Sequence, residues 1–130
     1  MQIIELEPIG ILHCNLHNRK DTPKSTSEST AQGIIEINPQ YLAGLDGINA
    51  GSSILVLFWF DRAPRDVLRV HPRGDKDRPM RGVFATHSPM RPNPIAVSKL
   101  RVLRRADNCL TVQGLDAMDN TPVLDIKSSR

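Results

Sequence analysis

Residues 94–115 read PIAVSKLRVLRRADNCLTVQGL, and the spacing of their apolar positions decides the fold. Leu100 and Val102 are opposed to Lys99 and Arg101, and further along Leu110 and Val112 alternate with Thr111 and Gln113. Successive side chains of a strand point to opposite faces, so a period of two predicts half-buried strands over 94–103 and 110–115. Between them Ala106-Asp107-Asn108 reads as a hairpin turn, because Asp and Asn tolerate turn dihedrals and bond their own backbone. Outward from this pair, strand-like runs recur at 9–16, 33–37, 53–60, 67–70 and 83–86, each bounded by turn residues. Ten prolines, eight glycines and the absence of long 3.6-period patterns exclude a helical bundle. The expected fold is all-β or mainly β: a small β-barrel with long loops and at most short helices. One such helix is expected in residues 39–45, with Asn38 as its cap and Pro39 in its first position.

A chain of 130 residues suits one domain, 1–130, and no internal repeat or linker divides it. Its longest apolar run, residues 54–60, is far shorter than the roughly 20 residues of a membrane helix, so the run reads as a strand. Residues 1–8 have no basic region followed by an apolar stretch, and nothing there reads as a signal peptide. Cys14 and Cys109 are isolated thiols that make neither a disulfide framework nor a zinc site; no metal is expected, and both thiols read as buried and inert. A reducing cytoplasm is the expected compartment. The net charge is only +3, yet seven Lys and Arg and no Asp or Glu fall between Arg78 and Arg105. Such a stretch suits phosphate contacts, although from charge alone a solvated strand face is the preferred reading.

Two stretches read as loops. Residues 17–32 are polar, with STSEST at their centre, and are expected to be mobile unless a ligand or partner holds them. Residues 73–81 are charged and flanked by Gly and Pro. The chemistry gathers elsewhere. In residues 82–95, GVFATHSPMRPNPI, three prolines within six residues impose an extended, stiff chain that presents His87, Ser88, Arg91 and Asn93 to a ligand at low entropic cost. Residues 115–127, LDAMDNTPVLDIK, carry Asp116, Asp119 and Asp125, which either serve a pocket or tie turns and pair Lys127 or Arg91.

GVFATHSPMRPNPIAVS and LDAMDNTPVLDIK resemble the two signature stretches of the TsaA-like (TrmO-type) family of S-adenosylmethionine-dependent tRNA methyltransferases. IGILHCNL, GIIEINPQYLAGLDGI and VLRVHPRG fit it as well, so the similarity extends over nearly the whole chain. It implies a β-barrel domain, a homodimer, S-adenosylmethionine held near the subunit interface, and methylation of N6 of threonylcarbamoyl-adenosine beside the tRNA anticodon. The family's donor-binding Pro-Arg-Gln falls on Pro23, Lys24 and Ser25; Lys keeps the charge but not the planar fork of Arg. A His-basic pair falls on Asp61 and Arg62, a donor-contacting arginine on His87, a further contact on Val97, and a last group on Gln113, Gly114, Leu115 and Asp116. Arg91, Asn93, Asp119, Thr121 and Asp125 match the signatures directly, whereas the closing Pro-Tyr is Ser128-Ser129. Longer members continue into a second domain; the expectation here is a single-domain member.

Methyl transfer needs in-line positioning and, for a nitrogen that must lose a proton, a base titrating near the working pH. His87 and His71 are the candidates by residue type, although His71 reads more readily as a loop histidine making structural contacts. Asp61 or Asp116 suits the sulfonium cation of the donor, and Asp125 reads as architectural. Phe58, Trp59 and Phe60 read as core and interface. Besides the tRNA enzyme, two readings stand: a methyltransferase on another small or RNA substrate, and a non-catalytic donor-binding dimeric module.

Overall fold

The computed structural model describes residues 1–25 and 29–129. Six strands close into a barrel: β1 Gly10–Cys14, β2 Gln32–Ile37, β3 Ser53–Trp59, β6 Ile95–Ala106, β7 Cys109–Gln113 and β8 Pro122–Ser128. Their order around the barrel is β1-β2-β7-β6-β3-β8, every neighbour antiparallel. Closure comes from β8, which pairs Val123 with Gly10 on one side and Lys127 with Leu55 on the other. Two short strands, β4 Arg69–Val70 and β5 Arg81–Gly82, form a separate ribbon.

The period of two in the sequence is the inside and outside of this barrel. Ile54, Val56 and Phe58 of β3 and Leu100 and Val102 of β6 point inward and are fully buried. Leu12, Ile35, Ile37, Leu110, Val112 and Val123 complete a continuous core. The β6–β7 hairpin turns at Asp107, whose φ of 53° is a conformation Asp tolerates. At Gly33 the strands β1 and β2 approach closely: a Cβ there would lie 2.7 Å from the His13 carbonyl oxygen and 2.7 Å from Leu115 Cδ1. The Pro39–Leu45 segment is a 3-10 helix, and Asn38 Oδ1 caps it by accepting from the Gln40 N–H at 3.2 Å.

Three expectations change. Residues 83–86 are not a strand: Thr86 donates both its N–H and its hydroxyl to the Val83 carbonyl, closing a 3-10 turn over Val83–Ala85 that removes the segment from any ladder. Residues 122–128, read only for their carboxylates, are β8; Pro122 is tolerated because it is the strand's first residue. In the polar stretch 17–32 the described residues on either side of its centre are hydrogen-bonded. Asn18 caps the Arg19–Asp21 turn, Ser29 Oγ donates to the Leu115 carbonyl at 2.5 Å, and the Ala31 carbonyl accepts from Gly114 and Leu115. Thr26, Ser27 and Glu28 at its centre lie outside the described residues. Cys14 and Cys109 are free and half-buried rather than fully buried, and burial pushes the Cys14 thiol above its ordinary pKa. Among the described residues no helix is long and apolar enough to cross a membrane, and no three His, Cys, Asp or Glu residues gather as a metal site.

Candidate functional site

A cleft of about 720 Å³ opens on the outside of the barrel, between the outer face of β3 and β6, the proline-rich loop and the chain around residues 19–25. That volume is within the range of small-molecule sites. Its apolar wall comes from Leu55, Ile95 and Val97, outward positions of two paired strands, with Phe60 and Phe84 presenting aromatic surface. Lys24, Ser25, His87, Arg91, Asn93, Val97 and Asp116, all singled out from the sequence, line it.

Asp116 is the group most altered by its setting. Gly114, at φ 107°, turns the chain out of β7, and Asp116 follows two residues later. Ser98, fully buried on β6, donates its hydroxyl to Asp116 Oδ1 at 2.5 Å. Burial raises the carboxyl above its ordinary pKa of 3.8; the Ser98 bond, a backbone bond and the neighbouring Arg19 and His87 side chains oppose that shift without cancelling it. A carboxylate so placed is a fixed negative charge in a poorly solvated wall, able to attract a cation or accept a proton.

The proline-rich loop is braced by the side chains it was expected to present. Arg91 Nη1 donates to the Thr86 and Ser88 carbonyls at 3.1 and 3.0 Å. Arg65, stacked 5.2 Å from the Trp59 ring centroid, donates to the Pro92 carbonyl at 2.6 Å and to Asn93 Oδ1 at 3.1 Å. Lys24 Nζ donates to the Arg73 carbonyl at 2.6 Å, joining the 19–25 chain to the β4–β5 loop.

A smaller, largely apolar cavity of about 220 Å³ lies beside the cleft and contains Asp61, Arg62 and Thr121. Arg62 Nη2 donates to the Asp119 carbonyl at 2.7 Å and to Thr121 Oγ1 at 3.3 Å, and Asp119 Oδ1 accepts the Cys14 N–H at 2.9 Å. This group therefore ties the β7–β8 connection to β1. Pro23, Gln113, Gly114, Leu115 and His71 line neither cavity. Leu115 is in the core, Gly114 is bonded to Ala31, and His71 holds its Nδ1 against the Arg78 carbonyl at 2.8 Å. Asp125 lines neither cavity and pairs with Lys127 at 3.2 Å on the exposed surface. Arg19, Phe60, Phe84 and Lys99 line the cleft without having been singled out for it. Arg19 is shared by both cavities and lies 5.0 Å from the Phe60 centroid, a contact between distant segments that no local pattern announces.

Residues 11–129 match the tRNA-methyltransferase O N-terminal domain. The chain belongs to this family. Among relatives, the "probable S-adenosyl-L-methionine-binding protein" of Methanothermobacter thermautotrophicus is 41% identical over 124 residues, covering 95% of this chain and 88% of that protein. An "S-adenosyl-L-methionine-binding protein" of Archaeoglobus fulgidus is 43% identical over 122 residues, covering 94% of this chain and 86% of its own. The crystal structure of TrmO from Pseudomonas aeruginosa superimposes with a TM-score of 0.79 at 29% identity, over 99% of this chain and 57% of that one. The family domain thus spans a little over half of the solved TrmO chain, and the barrel is the part the two share.

Proposed function

We propose that this family domain is an S-adenosylmethionine-dependent tRNA methyltransferase whose cleft holds the methyl donor and whose acceptor is N6 of threonylcarbamoyl-adenosine. The observation that carries the reading is Asp116, a carboxylate fixed by buried Ser98 in a cleft with aromatic walls. The residues fit the donor: aromatic and aliphatic surface for a nucleoside, and one desolvated carboxylate for a positive centre. When bound, S-adenosylmethionine supplies an electrophilic methyl group on a sulfonium. Leu55, Val97 and Phe84 would form the apolar wall of the donor's site, and Asp116 would hold its positive centre by charge. His87, on the same cleft, takes the proton that the acceptor nitrogen gives up as its bond to carbon forms. His71 is left to its loop.

The pairing of identical subunits fits the same surface. Leu57, Trp59, Ile95 and Val97 occupy outward rungs of β3 and β6, and Phe84 beside them is 78% exposed. The outside of a closed barrel facing water should be polar, so an apolar stripe there is a surface for a second copy, continuous with the cleft.

The test is methyl incorporation from labelled S-adenosylmethionine into purified tRNA with and without the threonylcarbamoyl group. Incorporation confined to modified tRNA supports the assignment. Donor binding with no transfer to either tRNA sinks it in favour of a donor-binding module, the activity named for the near-full-length relatives.

A further inference from the structure

Arg19 has no part in the core or in the mechanism above, yet it stands at the partition between the two cavities. The turn that carries it is firmly built: Asn18 Oδ1 accepts the Asp21 N–H at 3.0 Å, Asn18 Nδ2 donates to Asp21 Oδ2 at 2.9 Å, and Thr22 Oγ1 donates to the Asn18 carbonyl at 2.7 Å. The guanidinium lies over the Phe60 ring and, among the described residues, makes no hydrogen bond and no ion pair. The other cations of the cleft differ. Arg91 is committed to two loop carbonyls and Lys24 to the Arg73 carbonyl, while Lys99 is a flexible point charge on an outer rung. A guanidinium resting on an aromatic face keeps its planar fork in one orientation, which suits a two-oxygen acceptor.

Asp116 narrows what that acceptor is. Arg19 and Asp116 line the same cleft and feel each other's charge, yet they do not pair. Arg19 stays exposed at the edge of the cleft without a bonded counter-ion, and packing on its inner side draws its pKa below the ordinary value, with Asp116 opposing and Arg62 reinforcing. A phosphate would gain from Arg19 but be repelled by Asp116. A ligand with a carboxylate at one point and a positive centre at another is complementary to both, and the amino-acid end of the donor has that arrangement.

We infer that Arg19 is a specificity residue that clamps the carboxylate of the donor's methionine end while Asp116 faces its positive charge. The inference rests on the proposed donor site. Calorimetric titration of the wild type, Arg19→Lys and Arg19→Ala with S-adenosylmethionine and with decarboxylated S-adenosylmethionine tests it. A fork-to-carboxylate contact is expected to make the wild type prefer the carboxylated donor by about tenfold or more. Arg19→Ala should bring that ratio near one, with Arg19→Lys between, while all three proteins melt alike. A misfolded variant leaves the decision to the wild type, where equal affinity for the two donors overturns the inference. So does a preference that survives in well-folded Arg19→Ala; either result leaves the donor site itself standing. No binding of either donor by the wild type overturns the donor site and this inference together.

Discussion

Asp116 shows how a single group can work against the fold that holds it. Its carboxyl titrates higher in the folded protein than the ordinary 3.8, so the folded state binds that proton more tightly than the unfolded chain does. The resulting stabilisation is fully present below pH 3.8 and is lost as pH rises through the raised value. At neutral pH the charged carboxylate is therefore a burden on stability. Asp116→Asn is expected to raise the melting temperature at pH 7 by a few degrees, the gain vanishing in acid, while donor affinity falls about tenfold or more. Thermal melts across pH, set beside calorimetry, check both halves; a variant that melts lower at pH 7 refutes the account. Ser98→Ala acts on the same group, removing a bond that favours the charged form. Donor binding in Ser98→Ala should then decline at a higher pH on acidification than in the wild type. Asp116 was legible in the sequence because a long signature surrounds it. Arg19 was not, because it gains its setting from Phe60, about forty positions away and on another element.

The elements were legible where one face is apolar and the other charged. Alternation in β6 and β7 and the Asp107 turn between them place that hairpin correctly, because burial on one side forces a period of two. β8 was illegible for the converse reason: Pro122, Asp125 and Lys127 are poor strand formers, and only pairing with β1 and β3 makes the segment a strand. Side-chain competition for the Val83 carbonyl turned an apparent strand into a 3-10 turn, an effect that period alone does not reveal. The β1–β2 contact supplies an element-scale prediction. Gly33→Ala puts a methyl group against the His13 carbonyl, which cannot yield without moving a strand. A loss of roughly 1–3 kcal/mol is expected in denaturant titration. An unchanged midpoint would show that the strands separate at little cost.

At the scale of the molecule, the outward positions of β6 run from Ile95 and Val97 to Lys99, Arg101 and, past a bulge, Arg104. Apolar surface thus gives way to cationic surface along one strand. The proposed dimer predicts that the wild type scatters light as a dimer and that Phe84→Asp with Ile95→Asp scatters as a monomer; a monomeric wild type, or a double variant that stays dimeric, refutes this contact. Arg101→Ala with Arg104→Ala should weaken tRNA binding uniformly across sequences and reduce the salt slope by about one per cation removed, with donor affinity unchanged.

Closure of the barrel has a consequence in time. β1 and β3 flank β8, so neither has its full set of backbone partners until residues 122–128 have emerged from the ribosome. The β3–β8 pairing joins segments about half the sequence apart, a slow kind of contact to make. A nascent or truncated chain stopping short of β8 therefore carries two open sheet edges, each a template for another copy. The last barrel strand to be synthesised is the one that ends the protein's exposure to aggregation.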